Sequence, residues 1–153
     1  MPPDRFTHTV DVPVSPKVVW RAQQLPATWK GIGPIDEVWD AIHDPDDTLT
    51  GYRWSARAAG RHWEGTARRT AMEPGSSLRL ALDSTEITGA IEVTIAPGAS
   101  ARVTVALEAA PRGMLATLFW GVVGEALRRG IATQVEEFAA RLANDRESDP
   151  GRP

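Results

Sequence analysis

Residues 111–144, PRGMLATLFWGVVGEALRRGIATQVEEFAARLAN, decide the architecture. Steps of three or four residues join Leu118, Val122 and Ala126 in one row and Trp120, Gly124, Leu127, Ile131, Val135, Phe138 and Leu142 in a neighbouring row, which is a helical period. At 1.5 Å per residue such a helix is roughly 45 Å long, more than the width of a domain this size, so it must lie across the fold. Its halves differ: residues 114–123 are apolar nearly all round, whereas Arg128, Arg129, Glu136, Glu137 and Arg141 stand opposite Val135 and Phe138. Gly121, Gly124 and Gly130 interrupt it, each at about 1 kcal/mol relative to alanine in a helix interior. Close packing of a strand backbone would compensate, as would room for a ligand beside Trp120 and Gly124.

Upstream, the pattern has period two. Residues 5–12 place Phe6, His8, Val10 and Val12 on one side of a strand. Ser15 and Pro16 then read as an N-cap and first helical residue of a short helix through Val18, Val19 and Trp20. A second short helix after Pro26 carries Trp29 and ends in the breaker Gly31-Ile32-Gly33-Pro34. Six alternating segments follow. Tyr52, Trp54 and Ala56 share one face, as do Trp63, Gly65, Ala67 and Ala71, opposite Arg53, Arg57, His62, Glu64 and Arg68; a one-residue error in that parity would exchange the two sets. Turn-length connections predict an antiparallel meander with one apolar face, and only the terminal helix is long and apolar enough to cover it.

The 153 residues therefore predict one α+β domain, 1–153, with an ordered core over about 5–143 and a flexible tail over 144–153. A composition of 42% hydrophobic and 24% charged residues excludes a disordered or fibrous chain. The absence of cysteine excludes disulfides and thiolate chemistry. A net charge of -3 gives no electrostatic reason to bind nucleic acid. With no signal-peptide pattern in MPPDRFTHTV and no stretch of roughly 18 apolar residues, a cytoplasmic protein without a membrane span is expected. Metal-ligand spacings, phosphate-binding glycine loops and Ser/His/Asp signatures are missing, so neither metal nor cofactor is expected.

The run Val10-Asp11-Val12-Pro13-Val14-Ser15-Pro16-Lys17-Val18-Val19-Trp20, followed by Trp29, Gly51, Pro74, Leu78-Arg79-Leu80, Arg102-Val103-Thr104-Val105 and the long helix, resembles the helix-grip (SRPBCC) superfamily of START-type lipid carriers, polyketide cyclase/dehydrases and birch-pollen-allergen-like proteins. The resemblance covers residues 6–142. Two positions depart from it: Lys17 stands where an acidic residue often follows the Ser-Pro, and Gln23-Gln24-Leu25-Pro26 lacks a common aspartate. It implies a curved antiparallel sheet of six or seven strands wrapped around a long C-terminal helix, two short helices after the first strand, and a cavity between sheet and helix.

Three functions fit those expectations. The first is binding of a small hydrophobic or aromatic molecule, with His8, Trp29, Trp39, Tyr52, Trp54, Trp63, Ile91, Leu118, Trp120 and Val122 as candidate ligand contacts and residues 114–123 closing the cavity. The second is a cyclase/dehydrase-like reaction with His8 and Tyr52 as acid/base candidates. The third is a protein-interaction module, as monomer or homodimer, through an exposed patch at Phe119, Trp120 and Val123. His8 is open to two readings, a packed or edge histidine and a group at the cavity rim, and the aromatic wall is open to two as well, core and ligand surface.

Overall fold

The six alternating segments after residue 34 are six consecutive strands. A computed structural model describes residues 4–30, 35–58, 60–118 and 120–147. Among them the strands are β1 (Asp4–Val12), β2 (Ile35–His43), β3 (Leu49–Ala58), β4 (Arg61–Glu73), β5 (Ser77–Ser84), β6 (Ile87–Ala96) and β7 (Ala101–Pro111). They form one curved antiparallel sheet in the order β1-β7-β6-β5-β4-β3-β2, so the first strand closes against the last. Helix α1 (Pro16–Gln23) and a 3-10 turn (Pro26–Trp29) separate β1 from β2. After β7 come α2 (Met114–Leu118) and α3 (Trp120–Glu147), which runs three residues beyond Asn144. This is the helix-grip arrangement. The Gly31-to-Pro34 breaker, Phe119 and residues 148–153 lie outside the described residues.

Local chemistry accounts for the small elements. Ser15 holds the N-cap position with extended backbone and its carbonyl accepts from the Val18 and Val19 N–H groups, although its hydroxyl makes no capping bond. Pro16 then sits where no intrahelical donor is needed. Gln24 ties α1 to the sheet: its Oε1 accepts from the Leu49 N–H at 2.8 Å while its Nε2 donates to the Trp20 carbonyl at 2.9 Å.

The single apolar face of the sheet is covered by α3, which packs chiefly on β1 and also touches β7 and β3. Trp120, Val123, Leu127, Ile131, Val135 and Ala139 are buried at spacings of three or four, and each large side chain so buried contributes about 1.5–3 kcal/mol relative to exposure. The apolar-all-round beginning of the helix region resolves differently from expectation. Met114, Leu118 and Val122, four residues apart, point outward at 80%, 71% and 58% exposure, while Trp120 and Val123 are buried. The predicted exposed patch at Trp120 and Val123 is therefore replaced by a stripe on the opposite side.

Strand parity holds through most of β4 and then slips. Trp63, Gly65 and Ala67 pair with Ala56, Trp54 and Tyr52, and Glu64, Thr66 and Arg68 alternate with them on the exposed face. A bulge between Arg69 and Ala71 adds one residue to β4, so Met72 rather than Ala71 packs on the core, opposite Leu78. Arg69 turns inward beside it, and its guanidinium reaches the Asp44 carboxylate at 3.2 Å and the Leu49 carbonyl at 3.3 Å. The Thr48 N–H and Arg69 hold the Asp44 carboxyl below the usual aspartate range.

Gly121 lies exposed within α3 with open space where a Cβ would stand. Replacing Gly121 by alanine removes backbone entropy from the unfolded chain and meets no obstacle, so Gly121→Ala should stabilise the fold by about 0.5–1 kcal/mol in urea unfolding.

Candidate functional site

Three aromatic residues of the sheet, Tyr52, Trp54 and Trp63, point into the space between sheet and helix, and the facing strands make room for them. Trp54 stands opposite Gly65, Trp63 opposite Ala56 and Tyr52 opposite Ala67, so each ring on one strand of the β3/β4 pair faces a small residue on the other. The Trp54 ring lies directly over Gly65, where a Cβ would come within 2.7 Å of Trp54 Cε2. Leu82, Ile91 and Leu107 supply the floor from β5, β6 and β7, and Leu127 of α3 the roof, of a first cavity of about 30 Å³. Its lining is almost wholly apolar and its volume holds about one water molecule. The rings thus fill most of the elongated cavity expected from the sequence.

Polar atoms in this wall are few and differ in their bonding. Trp29 Nε1 donates to the Gln23 carbonyl at 2.9 Å and Trp120 Nε1 to Asp4 Oδ2 at 2.6 Å. The Nε1 atoms of Trp54 and Trp63 are equally buried and have no partner. Burial pushes the Tyr52 hydroxyl well above the ordinary tyrosine range, so it keeps its proton.

Tyr52 also stacks at a tilt on Trp29, with ring centroids 6.1 Å apart. On the Trp29 side lies a second cavity of about 30 Å³, between the 3-10 turn and α3, lined by Gln23, Thr28, Trp29, Val93, Val103, Val105, Gln134, Val135 and Phe138. Val93 and Val105 continue the inward rows of Ile91 and Leu107, so the two cavities are neighbours along the same sheet face, with the Trp29–Tyr52 pair at their boundary. Larger hollows exist, but outside: open grooves of about 840 and 700 Å³ run over the charged outer face past Arg53, Arg68 and Asp83, and past His62, Glu64 and Arg112. Enclosure and unpaired donors favour the interior over these larger, solvated grooves.

The residues expected from sequence divide accordingly. Trp29, Tyr52, Trp54, Trp63 and Ile91 line the interior cavities. His8 does not: it lies between β1 and α3, its side chain 29% exposed, with Nε2 2.8 Å from Glu136 Oε1. Trp39 stands opposite Arg53 in the register, whereas its neighbour Val38 faces Trp54, because β2 carries irregularities on both sides of this short stretch. It therefore belongs to the outer set. Leu118 and Val122 point away from the sheet, Trp120 is buried against Asp4, and the roof is built from Leu127 and Val135, further along α3 than residues 114–123. Gly124 faces Phe6 at an ordinary contact distance and lines neither of the two interior cavities. Gln23 was not anticipated. It shares the buried face of α1 with Val19, and a glutamine at a core position of a helix is the signal that could have found it.

The family model described as "Polyketide cyclase / dehydrase and lipid transport" matches residues 3–144. The chain belongs to this family. Among solved structures it is similar to an aromatase/cyclase from Streptomyces sp. R1128, with TM-score 0.71 and 14% identity over 99% of both chains. A START superfamily protein from Mycobacterium smegmatis gives TM-score 0.62 at 15% identity, over 87% of this chain and 97% of that one. A norcoclaurine synthase point mutant from Thalictrum flavum, in complex with a transition-state analogue, gives 0.62 at 10%, over 95% and 97%. At these identities the likeness carries the fold alone. Among curated proteins none matches. No helix among the described residues is long and apolar enough to cross a membrane.

Within this family member, Gly65 is the residue on which the Trp54 position depends. A Cβ there would also sit 2.5 Å from the Asp83 carbonyl, so Gly65→Ala must move either the ring or the β5 backbone. It should destabilise the fold by about 1–3 kcal/mol and change the near-UV circular dichroism, whereas an unaltered spectrum and melting temperature would show that Trp54 is not held this way.

Proposed function

We propose that the chain binds a small hydrophobic or aromatic molecule between the concave sheet face and α3, with an acceptor oxygen of that molecule taking the indole N–H groups of Trp54 and Trp63. Those two donors carry the reading. Both rings line the first cavity, and neither Nε1 has a partner although both are buried. A buried donor left unsatisfied costs on the order of 1–3 kcal/mol, and such donors are rare in folded proteins. A carbonyl or quinone oxygen would recover part of that cost while its carbon skeleton met the apolar lining. The family description, polyketide cyclase / dehydrase and lipid transport, supports an apolar, oxygen-bearing ligand.

The first cavity holds about one water molecule, so a larger ligand must displace the Trp29–Tyr52 boundary and join the two cavities. The aromatic rings then serve as ligand walls instead of filling. Binding is better supported than acid–base catalysis by His8 and Tyr52. His8 is paired with Glu136 and lines neither cavity, so it stands apart from Tyr52.

Titration of the full chain with 1-tetralone should give saturable quenching of tryptophan fluorescence, with affinity about tenfold above that for tetralin, the same bicycle without the oxygen. Equal affinities would remove the role given to the two indoles. Absence of binding by either compound up to its solubility would remove the reading itself.

A further inference from the structure

Two adjacent glutamines at the end of α1 are used in opposite ways. Both atoms of the Gln24 amide are bonded to backbone, whereas Gln23, only 2% exposed, has neither Oε1 nor Nε2 paired. A free amide buried in the core is destabilising on both counts, as donor and as acceptor. Gln23 has no freedom to leave: it lies on the inward face of α1 with Val19, and its own carbonyl holds the Trp29 indole. Its side chain lines the second cavity, whose rim is made by half-buried Thr28, Gln134 and Phe138 between the 3-10 turn and α3. The Thr28 hydroxyl already donates to the Ala22 carbonyl at 2.6 Å and Gln134 is only half-buried, which leaves the Gln23 amide as the fully buried polar group of this lining without a partner.

We propose that Gln23 determines specificity for one end of the ligand, taking a group that donates and accepts side by side: a primary amide, a protonated carboxylic acid or an enol. This rests on the interior-binding reading and adds a polar end to it, because the indole N–H groups of Trp54 and Trp63 can only donate. A side-chain amide presents one acceptor and one donor about as far apart as those of a second amide, so the pair closes a ring of two hydrogen bonds. A ligand with an acceptor alone leaves the Gln23 acceptor buried and unpaired, and a site built in this way rejects it. A single water would also fit the second cavity by volume, and it would give no selection between ligands.

The test compares naphthalene-2-carboxamide with 2-acetylnaphthalene, in which a methyl group replaces the NH2, by calorimetric titration of the full chain. The wild-type chain should prefer the amide by about tenfold. Gln23→Leu should reduce the preference to less than about twofold, mainly by weakening amide binding, and should melt no lower than wild type because the buried amide is gone. Equal wild-type affinities, or a preference that survives in Gln23→Leu, would overturn the assignment while leaving interior binding intact. Absence of binding by both compounds would overturn interior binding together with it. The wild-type comparison stands whether or not the variant folds, and Gln23→Met provides a second variant closer in shape.

Discussion

The structure depends on one packing constraint: a seven-stranded sheet has a single apolar face, and α3 must cover it. The row Val123, Leu127, Ile131 and Val135 does so along the concave side, with β1 and β7 beneath it. A straight helix on a curved sheet cannot touch every strand equally. Contact is closest at β1 and slighter at β7 and β3, and long side chains fill the space between α3 and the β3/β4 pair. Trp54, Trp63 and Tyr52 occupy that region. Their opposite neighbours Gly65, Ala56 and Ala67 are small because the rings need the depth.

The same constraint explains the polar atoms left inside. Trp29 and Trp120 sit near the ends of elements, where a carbonyl or carboxylate is available, and their indole N–H groups are bonded. Trp54 and Trp63 stand within the β3/β4 ladder, where neighbouring backbone groups are consumed by strand pairing, so their N–H groups find no partner. Gln23 differs in that a second glutamine one residue away performs the structural bonding. Fully apolar residues at these three positions would pack without that cost, which is why their presence points to a ligand.

Much of this architecture was legible in the sequence because it rests on periodicity. Alternation in residues 35–111 marked six strands, the row from Trp120 to Leu142 marked most of the buried side of α3, and the rings of Tyr52, Trp54 and Trp63 fell on the correct face. What failed lay where periodicity carries no information. A bulge is one inserted residue with no signature of its own, so Ala71 and Met72 exchanged faces, and the irregularities in β2 did the same for Trp39. The apolar-all-round stretch from Met114 to Val123 does not identify its buried side, so Leu118 and Val122 were placed inward. His8 alternates with core residues yet sits at the sheet edge, where that face meets the charged side of α3 at Glu136. Gln23 was visible only as a polar residue in a helix too short to define a stripe.

The central claim is that Trp54 and Trp63 hold their N–H groups for a ligand oxygen, and the indole region of a ¹H–¹⁵N correlation spectrum tests it directly. Of the six indole signals, those of Trp54 and Trp63, assigned by single Trp→Phe substitutions, should move downfield when 1-tetralone is added to saturation. Trp120 Nε1, bonded to Asp4 away from both cavities, should move much less. Static Trp54 and Trp63 signals in a saturated complex, or a uniform shift of all six, would contradict the account.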